Sequence, residues 1–192
     1  METKKMSLSR GTFNVRDRGN TDAAPLVMIH GWPESSYCWE AITPFLNKNL
    51  RVIAPDLRGL GDSERTMDRD CYLKQELAKD VIEIIDNLGL DRFFLAGHDW
   101  GGAVAQEVAL AIPERVSRLV IMNIHVITNI KGNAEALKVM QSRGSVPLWY
   151  QYFQQQPKLA EAMIPGNEEV WIRYFFGRAG LEGRIPEDAI SE

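Results

Sequence analysis

The stretch Gly97-His98-Asp99-Trp100-Gly101-Gly102 sets one carboxylate among small residues, just after the apolar run Phe93-Phe94-Leu95-Ala96 and just before an amphipathic stretch that begins at Ala103. A reactive side chain is presented in this way where a strand turns sharply into a helix, because the strained turn admits nothing bulky beside it. Asp is also a favoured helix N-cap. Capping, however, asks for neither Gly97 nor the Gly101-Gly102 pair, so Asp99 is expected to be a nucleophile. A carboxylate that attacks carbon by displacement forms an alkyl-enzyme ester, and its substrate must therefore offer an electrophilic sp3 carbon with a leaving group. Epoxides and alkyl halides qualify. Ordinary esters and amides fit poorly, because they would yield an anhydride.

A second chemistry-bearing stretch, His30-Gly31-Trp32-Pro33, follows the apolar run Leu26-Val27-Met28-Ile29. It lies at the C-terminal end of its expected strand, the end at which α/β sheets place ligands. The backbone N–H groups of Trp32 and Trp100 are the expected oxyanion donors, needed in the step that hydrolyses the ester. The plainer alternative is a Gly-Trp-Pro turn that only holds the chain in place.

These residues need elements to position them. Short apolar runs alternate with longer amphipathic ones, the pattern of parallel strands joined by crossover helices. Leu26–Ile29, Arg51–Pro55, Phe93–Ala96 and Leu119–Met122 read as strands. Met6 to Arg18 reads as an antiparallel pair at a sheet edge. Leu73, Leu77, Val81, Ile84, Ile85 and Leu88 share one face of a helix that stops at Gly89, and another helix runs from Gly101 to about Ile112, ahead of Pro113. After Asn123 the alternation stops. From Lys131 onward, aromatic residues and Gln crowd into short helices broken by Pro147, Pro157, Pro165 and Pro186. The expected organisation is a core over residues 1–125 and a lid over residues 126–192.

The chain has 192 residues, 45% of them hydrophobic and 25% charged, with a net charge of -4. That allows one well-buried domain with a small appendage. A mildly acidic balance gives no electrostatic reason to expect nucleic acid or an anionic membrane as partner. No run approaches a membrane span, and the N-terminus lacks the apolar core of a signal peptide. Cys38 and Cys71 are too few for a disulfide framework or a metal knuckle, so a reducing cytoplasm is the expected location. No metal or organic cofactor is expected. The expected partner is a small electrophilic molecule, and the oligomeric state is unreadable from the sequence.

Taken in order, His30-Gly31-Trp32-Pro33-Glu34, Tyr37 and Trp39, Pro55-Asp56-Leu57-Arg58-Gly59-Leu60-Gly61-Asp62-Ser63 and Gly97-His98-Asp99-Trp100-Gly101-Gly102 resemble the epoxide hydrolase and dehalogenase branch of the α/β-hydrolases. The resemblance implies an α/β-hydrolase fold, a mostly parallel sheet with helices on both faces and the first part of a helical cap. Tyr150-Gln151-Tyr152-Phe153, followed by Pro157, is similar to the lid segment of soluble epoxide hydrolases. By that resemblance Tyr150 would donate a hydrogen bond to the epoxide oxygen as the ring opens. Trp149 keeps a haloalkane or haloacid dehalogenase in play, with the halide held by Trp100 and Trp149. His30, Pro33, Trp149, Gln151 and Phe153 are the candidate substrate contacts. Packing is the competing account of the lid aromatics.

Ester hydrolysis requires a histidine base oriented by an acid, in the chain order nucleophile, acid, histidine. Asn123 stands where some dehalogenases carry the acid. His125 is the only histidine after Asp99 and comes too early for the family's base. None of the three histidines is therefore expected to move protons, His125 being at most a substitute base. The expectation is a chain that stops inside the lid, before the last core strands, and forms the Asp99 ester without hydrolysing it. A non-catalytic remnant of the fold is the third possibility.

Overall fold

The computed structural model describes residues 1–143 and 149–178, with Ile185, Glu187 and Ile190 beyond them. It divides into two compact units, Met1–Ile127 and Thr128–Glu192.

In the first unit, β1 (Glu2–Leu8), β2 (Gly11–Arg18), β3 (Ala24–Ile29), β4 (Leu50–Pro55), β5 (Phe93–His98) and β6 (Val116–Met122) form one sheet in the order β1-β2-β4-β3-β5-β6. The neighbours among β4, β3, β5 and β6 are parallel, while β1 and β2 form an antiparallel ribbon that joins through β2 to β4. Parallel neighbours need long crossovers. Those after β4 and β5 contain α1 (Lys74–Asn87) and α2 (Trp100–Ala111). α1 stops where Gly89 takes a φ of +65°, a left-handed C-terminal turn that costs glycine little.

Strand alternation sorts the core into two faces. Phe13, Val15, Val27, Ile29, Ile53, Phe93 and Leu95 pack on one face against Leu77, Val81, Ile84 and Ile85 of α1 and Val104, Ala105 and Val108 of α2. Met28, Val52, Ala54 and Ala96 face the other way, under Trp39 of the short turn Ser36–Trp39. Each such large side chain contributes about 1.5–3 kcal/mol on burial. One buried charge cluster fastens the edge ribbon to α1. The Asp80 carboxylate accepts from Arg58 Nε at 2.7 Å and from Arg10 Nε at 2.6 Å, and Arg10 sits in the turn between β1 and β2. A buried carboxylate is tolerable there because two guanidinium groups satisfy it.

The second unit contains α3 (Ile130–Ser142), α4 (Trp149–Gln155), α5 (Leu159–Met163) and α6 (Glu168–Arg178). Pro157 and Pro165 fall between α4, α5 and α6, as expected of helix breakers. Pro147 and Pro186 lie outside the described residues. Trp149 and Phe153 of α4 interleave with Trp171, Tyr174 and Phe175 of α6, with Trp149 stacked on Phe175 at 6.4 Å and Phe153 5.2 Å from Trp171. Among the described residues, no helix is long and apolar enough to cross a membrane.

Candidate active site

β5 ends at His98 and α2 begins at Trp100, so Asp99 alone makes the turn, with φ 50° and ψ -122°. A non-glycine residue at positive φ carries strain of roughly 1–3 kcal/mol and persists only where its surroundings over-determine it. Here they do. A side chain at Gly97 would run into the backbone of Gly101, and one at Gly101 would run into the carbonyls of Ile29 and His30. The end of β3, the end of β5 and the start of α2 therefore touch backbone to backbone. The Asp99 N–H donates to the Met122 carbonyl at 2.9 Å, which tethers the turn to β6.

The Asp99 side chain makes no capping hydrogen bond to α2. Instead Oδ1 accepts the Trp32 backbone N–H at 3.0 Å, across 67 residues of chain. The N-cap alternative thus does not describe what this carboxylate does. One oxygen is held by the loop after β3, leaving Oδ2 as the second oxygen. Gly31 lies directly beneath: a β-carbon there would sit 2.6 Å from that of Asp99. The Trp100 N–H belongs to the first turn of α2, where no helical carbonyl can reach it.

The structure corrects His30 as a substrate contact. Its ring is fully buried, Nε2 accepts the Leu57 N–H at 2.9 Å, and Nδ1 lies 2.8 Å from the Gly31 carbonyl, to which it donates in the neutral tautomer this requires. Burial pushes its pKa down, in keeping with a neutral ring. His30 pins the end of β3 to the segment after β4, and nothing of it is left for a ligand. Pro33, half-buried, follows Trp32 through a cis peptide bond.

Two features beside Asp99 escaped sequence reasoning. Glu34 accepts the Gly31 N–H at 3.1 Å and pairs with His98 Nδ1 at 3.2 Å. Burial pushes the Glu34 carboxyl up, but the hydrogen bond and charge of His98 and the Gly31 N–H together outweigh it and hold the carboxyl below its ordinary value. The same hydrogen bond raises His98, against the opposing effect of burial. Second, the Lys74 ammonium at the start of α1 lies over the Trp100 ring, 2.6 Å from its centroid. Burial lowers the Lys74 pKa to about 8, with the charge of Asp99 acting in the opposite sense. Neither partnership leaves a local sequence signal, because each joins residues from separate loops or elements.

Trp32 and Trp100 also line a cavity of about 290 Å³, together with Leu57, Leu60, Tyr72 and Leu77, and with Arg58 and Gly59 in its wall. The lining is mostly apolar and aromatic, suited to a hydrophobic ligand body. Asn123 stands one residue past β6 at φ 53°, a left-handed conformation that Asn tolerates better than most side chains. His125 is exposed, and its carbonyl accepts from Gln106 Nε2 at 3.1 Å. Trp149, Tyr150, Gln151 and Phe153 belong to the second unit. There the Tyr150 ring packs edge-on against Phe175 at 5.0 Å, so packing accounts for the placement of these aromatics within that unit.

Residues 24–177 match the family model described as the alpha/beta hydrolase fold. The chain belongs to the α/β-hydrolase family. Within it, the chain is 47% identical over 100 residues to a soluble epoxide hydrolase of Corynebacterium sp. (strain C12), a match covering 52% of this chain and 34% of that protein. It is 32% identical over 169 residues to Homo sapiens epoxide hydrolase 4, covering 85% of this chain and 44% of that one. Among solved structures, epoxide hydrolase A from Mycobacterium thermoresistibile superposes with a TM-score of 0.76 at 26% identity, over 92% of this chain and 55% of that one. A putative acyltransferase from Salmonella enterica gives 0.83 at 31% identity, over 98% and 62%. The relatives place this α/β-hydrolase in the epoxide hydrolase branch, and it spans less than half the length of the two curated ones.

Proposed function

We propose that this α/β-hydrolase opens epoxides through an ester on Asp99. The observation that carries the reading is the Asp99 carboxylate itself: it stands on a strained one-residue turn, does not cap its helix, and has Oδ1 held by the Trp32 N–H. In the proposed reaction Oδ2 attacks a ring carbon and forms a C–O bond. The ring C–O bond breaks, and its electron pair goes to the ring oxygen. The Tyr150 phenol, in the role the family resemblance gives it, supplies the proton that a poor alkoxide leaving group needs. Oδ1 becomes the ester carbonyl oxygen, already facing the Trp32 N–H that would stabilise an oxyanion when water attacks the ester.

That second step needs a base, and the sequence holds three histidines. His30 is buried with both ring nitrogens engaged, His98 pairs with Glu34 through Nδ1 on the residue before the nucleophile, and His125 stands exposed after β6. In the family's chain order the base follows the nucleophile and its acid, a place none of the three occupies, so the 192-residue chain is expected to accumulate the ester. Intact-mass measurement after incubation with a reactive aryl epoxide should show one adduct, mapped to Asp99 by peptide analysis and absent from Asp99→Asn. Steady diol production by this chain would refute the single-turnover part of the reading, and an unmodified Asp99 would refute the nucleophile. The dehalogenase reading predicts instead halide release from a chlorinated substrate that survives Tyr150→Phe.

A further inference from the structure

The cations of the first unit mostly find carboxylates as they leave water. Arg58 and Arg10 share Asp80, Arg51 holds Asp17, and Arg16 reaches Glu40. Lys74 is the exception beside the site. It is half-buried, and its ammonium rests on the Trp100 ring without a hydrogen bond or ion pair among the described residues. An ammonium so placed has lost part of its hydration, and the face of an indole replaces only some of what water supplied. Its placement matters because Trp100 directly follows Asp99 and lines the apolar cavity that also includes Trp32, Tyr72 and Leu77.

We propose that Lys74 is the specificity-determining cation of this site and binds the carboxylate of an acidic substrate whose apolar body occupies the cavity beside Trp100. For the reaction, though not for binding, this rests on Asp99 as the nucleophile. An anionic electrophile approaching Asp99 meets a like charge, and an ammonium beside the Trp100 ring offsets that repulsion at the point of approach. A neutral epoxide would leave the ammonium as poorly paired as before. An epoxy acid or a halo acid with an apolar body would supply a hydrogen-bonded anion, where the Asp99 charge acts on the ammonium only through space, and a charge-assisted hydrogen bond is stronger than a neutral one. Substrate acidity thus separates this site from one that takes simple hydrocarbon epoxides.

Calorimetric titration of the 192-residue chain with 3-phenylpropionate and with its neutral amide tests the assignment without any covalent step. The acid should bind about tenfold tighter than the amide, as one charge-assisted hydrogen bond predicts. That ratio should fall to about one in both Lys74→Met and Lys74→Gln, each checked for an unchanged melting transition, and should persist in Lys74→Arg. A ratio near one in the unmodified chain, or one unchanged in the well-folded neutral variants, would overturn the assignment. Incubation with 3-phenylglycidate, an epoxy acid, then separates the two readings. A chain that keeps its preference for the acid yet shows no adduct on Asp99 upholds Lys74 as the anion site and removes Asp99 as nucleophile.

Discussion

His98 and Glu34 lie 64 residues apart in sequence and meet at 3.2 Å beside the turn that bears Asp99. Their pairing makes stability depend on pH in a definite sense. Glu34 is lowered from an ordinary 4.5, so its share of the stabilisation is present above that value and is lost as pH falls through its lowered pKa in the folded state. His98 is raised from 6.5, so its share is present below that value and is lost as pH rises through its raised pKa. The pair therefore contributes most between the two ordinary values. The difference in melting temperature between the unmodified chain and His98→Gln should peak near about pH 5.5 and shrink by about pH 9, with a maximum of roughly 2–4 °C for a partly exposed ion pair worth about 1 kcal/mol. A difference that stays flat over that range would show that the contact acts without charge. Asp99 could be read from local spacing, because glycines at fixed offsets announce a strained turn. The partners of Glu34, His98 and Lys74 could not, since nothing near them in sequence names the side chain across the gap.

The connections between elements carry as much of the site as the elements themselves. Gln106 on α2 is buried, and its amide donates to the Gly102 and His125 carbonyls while its oxygen accepts the Ile127 N–H at 2.8 Å. One side chain thus holds the segment leaving β6 against α2. Gln106→Leu would strand a backbone N–H and a carbonyl and should destabilise the chain by about 1–3 kcal/mol, read from denaturant unfolding. An effect below about 0.5 kcal/mol would mean that water replaces the amide at this place. The elements were largely legible from periodicity. The apolar runs at Leu26–Ile29, Arg51–Pro55, Phe93–Ala96 and Leu119–Met122 fall within β3 to β6, with β3, β4 and β6 starting earlier than their runs and β5 ending later than its own. β1 begins as early as Glu2 because backbone pairing with β2 does not require apolar side chains.

At the scale of the whole molecule, the two edges of the sheet differ. β1 carries Glu2, Lys4 and Lys5, charges that discourage pairing with another chain. β6 lies at the opposite edge with Leu119 and Val120 both exposed, the first in register with Leu95 and the second with Ala96. Adjacent residues in a strand point to opposite faces, so β6 presents one exposed apolar side chain on each face here, although Val116 and Met122 pack against the core. Val120→Lys should raise the concentration at which the 192-residue chain begins to scatter light, without lowering its melting temperature. Unchanged scattering would show that association runs through another surface.

The sequence by itself determined that Asp99 sits on a strand-to-helix turn in an α/β-hydrolase, because a strand, a glycine-flanked turn and a helix are local features written in consecutive residues. Only the tertiary structure decided that the Asp99 carboxylate turns away from its helix to the Trp32 N–H, that His30 is a buried pin, and that Lys74 rests on Trp100. Each of these joins segments far apart in the chain, and their distances are set by how the sheet and its helices pack.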